Sequence, residues 1–184
     1  MIGEKPRQKL TYADYLAAPE DKRYELLDGE LLMLPAPDEL HQRTQAELGY
    51  NVMAFVKTRG LGRVYFSPTD VILSDVDVVQ PDLLFVSNDR LDILTAAGVQ
   101  GAPDLVVEIL SPGTAERDKG YKRALYAQHG INEYWLMETE AGTITVLLLE
   151  ETGYEVVGTF GEGDILTSAT LKEFSLELKE VFGS

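Results

Sequence analysis

The chain has 184 residues, 45% of them apolar and 26% charged, an ordinary globular composition that excludes the disordered class. It has no cysteine, which excludes disulfides and thiolate metal sites, and no apolar run near the roughly 18 residues of a membrane helix. Thirty-one acids against 16 bases give a net charge of -15, which repels phosphate backbones at long range, so any nucleic-acid reading must answer for it.

A chain of this length buries about 70% of its unfolded surface, and a single domain over residues 1–184 is the expectation. The start MIGEKPRQKL lacks the apolar stretch of a secretory leader, so a cytoplasmic protein is the simplest expectation. In LTYADYLAAP, Thr11 stands three residues before Asp14 in a capping pattern, and Pro19 closes a short helix. YELLDGELLML sets two apolar runs around Asp28-Gly29, which predicts a hairpin with strands near 23–27 and 30–34, ended by Pro35 and Pro37. From Glu39 to Thr58, Leu40, Leu48, Val52, Phe55 and Val56 recur at helical spacing, and Gly60 supplies the stop.

RVYFSP, TDVILS and QPDLLFV then read as three strands, the last following a turn at Asp75 to Asp77; Asn88 to Gly101 reads as a short helix and loop. DLVVEILS is a continuous apolar strand of the kind buried on both faces. SPG breaks it, and Thr114 is placed to cap a helix running through ERDKGYKRALYAQHG to Gly130. EYWLME is another buried strand, TITVLLLE and YEVVGTF form a hairpin around Thr152-Gly153, and LKEFSLELKEVF closes the chain. Helices and strands in this order predict a mixed α/β sandwich.

Within PDLVVEIL, Glu108 is the one carboxylate after Asp104, among five Val, Ile and Leu side chains. Buried and ionised without a partner, it would cost several kcal/mol, so something should compensate it. Asp82 follows Pro81 at the start of a neighbouring strand. If the two strands pair, both carboxylates converge at one sheet end and can hold Mg²⁺ or Mn²⁺, hard cations that take oxygen ligands. The other reading pairs Glu108 with Arg117, Lys119, Lys122 or backbone amides and leaves Asp82 as a turn acid. Asp118, Lys122 and Tyr126, at i, i+4 and i+8, line one face of the following helix. Packed against the strand of Glu108, that face brings Lys122 to the site, where it can stabilise charge on a phosphoryl transition state. Facing water, Asp118 and Lys122 make a surface pair worth under about 1 kcal/mol.

Other chemistries find no motif. Ser111 lacks a G-x-S-x-G elbow and reads as a turn residue, and neither G-x-G-x-x-G, Walker nor HExxH patterns occur. Tyr134 and Trp135 read as core residues of their strand.

TYADYL, YELLDGEL, PAPDELH, QPDLLFV, PDLVVEILSPGT and DKGYKRALYAQHGINEYWLM, in that order, resemble the Uma2 (DUF820) family of restriction endonuclease-like proteins in the PD-(D/E)XK nuclease superfamily. The resemblance spans most of the chain up to about Met137. It implies an α/β fold with a restriction endonuclease-like core, a mixed central sheet flanked by helices, to which the N- and C-terminal β-hairpins are additions. It also implies a divalent-metal-dependent endonuclease acting on DNA, with Mg²⁺ (or Mn²⁺) held by Asp82 and Glu108. Leu110 stands where the superfamily pattern has lysine, and Lys122 from the next helix resembles the migrated lysine of variant members.

Glu25 matches the YE...DG segment and would be a further metal-site or supporting acid, while strand alternation would equally put it in solvent. Glu47 resembles the first-helix acid of some members, or is a solvated rim residue. His41 matches a family histidine, or caps and packs; His129 reads as a helix C-terminal residue. A homodimer that gathers Arg7, Arg23, Arg43, Lys57, Arg59, Arg63, Lys119 and Arg123 into one cleft would reconcile DNA binding with the acidic balance. Two alternatives stand beside the nuclease. One is a catalytically inactive nuclease-fold protein with an acidic interaction surface; the other is a hydrolase of a small phosphodiester in an enclosed pocket. Whether Asp82, Glu108 and Lys122 lie within a few ångströms of one another separates the first from the nuclease.

Overall fold

The structure, a computed structural model, describes residues 8–19 and 21–183. Helix α1 (Tyr12–Leu16) starts where expected, with the Thr11 amide and hydroxyl both donating to Asp14 Oδ2, at 2.8 and 2.9 Å. Strands β1 (Tyr24–Leu27) and β2 (Glu30–Met33) form the hairpin, and Asp28 and Gly29 take the positive φ values, 50° and 74°, that such a two-residue turn requires. The Asp38 side chain accepts the His41 amide to cap α2 (Glu39–Arg59), and Gly60 closes the helix in the left-handed region.

The chain continues through β3 (Gly62–Phe66), β4 (Val71–Ser74), β5 (Asp77–Val79), β6 (Leu83–Ser87), a 3₁₀ turn (Asn88–Ile93), β7 (Leu94–Thr95) and β8 (Gly98–Gln100). Next come β9 (Leu105–Ile109), α3 (Ala115–Arg117), a π-helical turn (Asp118–Lys122), α4 (Arg123–Gln128) and β10 (Glu133–Glu138). The chain closes with β11 (Thr143–Glu150), β12 (Gly153–Gly161), β13 (Ile165–Thr167), β14 (Ser175–Glu177) and α5 (Lys179–Phe182).

Three local expectations change. The region read as a turn at Asp75 to Asp77 continues into β5, and the Asn88 to Gly101 segment contains the β7–β8 hairpin; strands of two or three residues are too short for periodicity to register. Thr114 does not cap with its side chain, whose Oγ1 instead meets Ser111 Oγ at 3.1 Å, and the helix it was to start is broken by the π turn. The expected mixed central sheet is six-stranded, in the order β12-β11-β10-β9-β6-β3; a second six-stranded sheet has the order β2-β1-β5-β4-β8-β7, and β13 and β14 pair separately.

The first sheet is mixed: β9 runs parallel to β10 and antiparallel to β6. Alternation divides its side chains between two cores. Leu83, Phe85, Leu105, Val107, Trp135 and Met137 face α2 (Leu48, Val52, Val56) and the C-terminal segment (Phe174, Leu178, Val181). Leu84, Val86, Val106, Tyr134 and Leu136 face the second sheet (Leu27, Val71, Val79, Val99) and α4 (Leu125, Tyr126). Glu108, between Val106 and Leu110, projects on this second side, where α4 packs. Buried Glu133 ties the C-terminal segment down by accepting from Trp135 Nε1 (2.8 Å), Ser168 Oγ (2.8 Å) and the Thr170 amide (2.7 Å). No helix among the described residues is long and apolar enough to cross a membrane.

Candidate active site

Strands β6 and β9 pair antiparallel with Leu83 opposite Val107, Leu84 opposite Val106 and Phe85 opposite Leu105. One further step of that register sets Asp82 across from Glu108, and directly opposed residues project on the same face. Asp82 Oδ2 accepts the Ile109 amide at 2.8 Å and lies 3.3 Å from His41 Nε2, while the Asp82 carbonyl accepts Gln45 Nε2 at 2.6 Å. Glu108 Oε1 accepts both Lys122 Nζ at 2.9 Å and the Tyr126 hydroxyl at 2.6 Å.

Lys122 Nζ also stands 2.7 Å from Glu25 Oε1 and 3.4 Å from Asp118 Oδ1. Glu25 Oε1 accepts the Gln80 amide at 2.9 Å, and Arg117 reaches to 3.9 Å from Glu25 Oε2. Glu25, Asp82, Glu108, Asp118 and Lys122 are all buried, and together with His41, Arg23 and Lys119 they border a cavity of about 560 Å³. Asp82, Glu108, Lys122 and Glu25 therefore meet at one cavity, Lys122 touching Glu108 and Glu25, and Asp82 pairing with His41.

The surface-pair reading of Asp118 and Lys122 is corrected, since both are at most 3% exposed. The π turn through Asp118–Lys122 lies at the point where the helix meets the site, as such turns often do. Glu25, which alternation alone left between solvent and site, is fully buried. Glu47 is half-buried on α2 and does not border the cavity. His129 is the C-cap of α4, and Ser111 is a turn residue, as read.

Burial is the main cause that raises Glu108 well above the usual carboxylate range; Lys122 opposes the shift, while Asp118, Asp82 and Glu25 add to it. Asp118 is raised by burial in the same way. For Lys122 burial acts downward, but Glu108, Glu25 and Asp118 outweigh it and hold the ammonium well above its ordinary value. His41 is raised too: burial lowers it, and the hydrogen bond and charge of Asp82, with Asp38, prevail.

Four buried acids and one buried ammonium thus share the cavity, with Lys122 in contact with Glu25, Glu108 and Asp118. Among the described residues, Glu25 Oε2 and Asp118 Oδ1 are sealed from water and find no hydrogen-bond partner, while Asp82 Oδ1 and Glu108 Oε2 also accept no hydrogen bond yet are not sealed in this way. Among the described residues no three Asp, Glu or His side chains form a ready-made ligand cage, because the Lys122 ammonium sits between three of the acids. Two hard-oxygen ligands suit Mg²⁺, which commonly takes one or two carboxylates and keeps several waters. The oxygen donor set fits such an ion.

The basic residues are dispersed over the single chain. Arg23 and Lys119 border the cavity, whereas Lys57 and Arg63 line a separate depression of about 320 Å³. Arg43 pairs with Glu39, Arg59 with Glu173, and Arg123 donates to the Tyr154 carbonyl; Arg7 lies outside the described residues. Sequence reasoning undervalued His41 and passed over Gln45. A signal was present: both stand on the buried stripe of α2 that continues through Leu48, Val52 and Val56, where a polar residue needs a partner.

A mixed sheet flanked by helices, with its strand-end acids at a cavity, is the fold of a nuclease-like α/β protein. The chain belongs to the Uma2 family, described as "putative restriction endonuclease", whose model matches residues 12–179. A similar solved structure is that of a "putative nuclease belonging to DUF820" from Anabaena variabilis ATCC 29413, with a TM-score of 0.79 and 21% identity over 95% of this chain and 98% of that one. At that identity the likeness establishes the shared fold. No curated protein matches the chain.

Proposed function

We propose that this protein is a divalent-metal-dependent endonuclease that hydrolyses DNA phosphodiester bonds, working in the cytoplasm as a homodimer. The observation that carries the reading is the opposition of Asp82 and Glu108 at one cavity with Lys122 Nζ 2.9 Å from Glu108. Family membership supports it. Asp82 and Glu108 would hold Mg²⁺ or Mn²⁺, and when bound the ion supplies a polarised phosphate and a water of lowered pKa.

Lys122 does the protein's share of electrostatic work. Its ammonium is kept charged by Glu108, Glu25 and Asp118, and its flexible stem lets it turn to a phosphate oxygen on which charge develops. It thereby takes the role that a lysine at position 110 would have in the superfamily pattern, delivered from a helix instead of a strand. Glu25 anchors Lys122 at 2.7 Å, and Arg23 and Lys119 offer phosphate contacts at the rim. A homodimer doubles that rim and offsets the acidic balance; sedimentation velocity reads the assembly.

The test is cleavage of supercoiled plasmid and of single-stranded DNA with Mg²⁺ or Mn²⁺, by the wild type, Glu108→Gln and Lys122→Ala. Metal-dependent nicking lost in both variants is expected. A folded wild type that neither cleaves DNA nor binds metal would overturn the proposal in favour of an inactive interaction protein. Hydrolysis of bis(p-nitrophenyl) phosphate without DNA nicking would favour a small-phosphodiester hydrolase, for which a cavity of about 560 Å³ is of suitable size.

A further inference from the structure

The two acids at the cavity are held alike: each has one oxygen tied by protein donors and one left over. For Asp82 the tied oxygen is Oδ2, on the Ile109 amide and His41; for Glu108 it is Oε1, on Lys122 and Tyr126. The two donors on Glu108 differ in kind. Lys122 is a charged amine on a four-carbon stem, already divided among three carboxylates, and the proposed chemistry takes it to the phosphate. Tyr126 is a rigid ring, fully buried and set edge-on to Tyr134 at 5.1 Å and 89°. Its hydroxyl donates to Glu108 Oε1 at 2.6 Å.

Resting on the nuclease reading, we propose that Tyr126 is a positioning residue: it anchors Glu108 Oε1 when Lys122 turns to substrate, keeping Oε2 directed with Asp82 Oδ1 toward the cation. Outer partners of this type are worth about 10- to 100-fold in metal affinity.

The test is calorimetric titration of the full chain with Mn²⁺, without substrate, for the wild type, Tyr126→Phe and Tyr154→Phe, with thermal melts of each. Tyr154→Phe removes an equally short hydroxyl bond, 2.6 Å to the Ile131 carbonyl, away from both acids. Tyr126→Phe is expected to bind Mn²⁺ about 10- to 100-fold more weakly and to raise the KM for metal more than it lowers kcat, whereas Tyr154→Phe keeps the wild-type affinity. Wild-type affinity in Tyr126→Phe, or equal losses in both variants, would overturn the positioning role alone. A wild type that binds no Mn²⁺ would remove the nuclease reading and this role with it.

Discussion

Replacing Lys122 by methionine keeps most of the side-chain volume and removes the one buried cation among Glu25, Glu108 and Asp118. At 2.7 Å the attraction of Lys122 for Glu25 is about 6 kcal/mol in an effective dielectric near 20, and desolvation of several kcal/mol per ion offsets most of it. The assembled cluster therefore adds little net stability. Deleting its cation is costly all the same, about 3–5 kcal/mol, because three buried acids then face one another without their shared cation. That is a large share of a total stability of about 5–15 kcal/mol. Urea unfolding at pH 7 without divalent ions, for the wild type, Lys122→Met, Glu25→Gln and the double variant, measures this directly. Glu25→Gln removes one orphaned charge, so the double variant should exceed the additive expectation by about 0.5–3 kcal/mol. The deficit of Lys122→Met should also shrink as the pH falls. Glu108 and Asp118 already hold their protons above the ordinary range when folded, and an acid with a raised folded value stabilises the fold as pH drops toward its unfolded value. A loss under about 1 kcal/mol at pH 7, or strict additivity, would refute the account of a shared buried counter-ion.

Gly49→Ala sets helix propensity, worth about 1 kcal/mol in favour of alanine, against contact, since the new Cβ would lie 2.2 Å from Phe66 Cε1. Overpacking of about 1–3 kcal/mol should win and lower the Tm; an unchanged or raised Tm would show that Phe66 yields freely. Glu133→Ala orphans three donors, each worth about 1.5–3 kcal/mol to a charged acceptor, so amide exchange over residues 165–178 should accelerate well beyond that of β9 and β10. Uniform acceleration would contradict a local pinning role. At alkaline pH, burial holds the Tyr134 and Tyr154 protons above the ordinary value of 10.0. Their stabilising contribution is intact below that value and is lost as the pH rises beyond it, so tyrosinate absorbance near 295 nm should grow together with loss of structure. Titration of every tyrosine near pH 10 with unchanged circular dichroism would contradict this.

Much of the fold follows from local chemistry. The Asp28-Gly29 turn, the Asp38 and Gly60 ends of α2, and the apolar runs of β6, β9 and β10 each rest on neighbouring residues, and they formed where the pattern placed them. The short strands β5, β7 and β8 left no periodic trace, because two or three residues cannot display a repeat and their pairing partners are remote in the chain. In the site, Glu108 was legible as an anomaly, a charge in a strand with no wet face, and Asp82 as an acid entering the neighbouring strand. Residue types and spacing could not say whether Asp118 and Lys122 face water, since exposed and buried pairs share the same i, i+4 pattern. That outcome depended on α4 packing on the Val106 and Glu108 side of the sheet, which carries Lys122 to Glu25 and Glu108. The link between His41 and Asp82 has the same origin: it joins α2 to the start of β6, and the 40 residues of intervening chain carry no local signal of that contact. The sequence by itself determined which strands are buried, where the chain turns and which acid needed a partner. Tertiary packing alone decided which partner it received, because the energy of a buried charge depends on what is brought within a few ångströms of it.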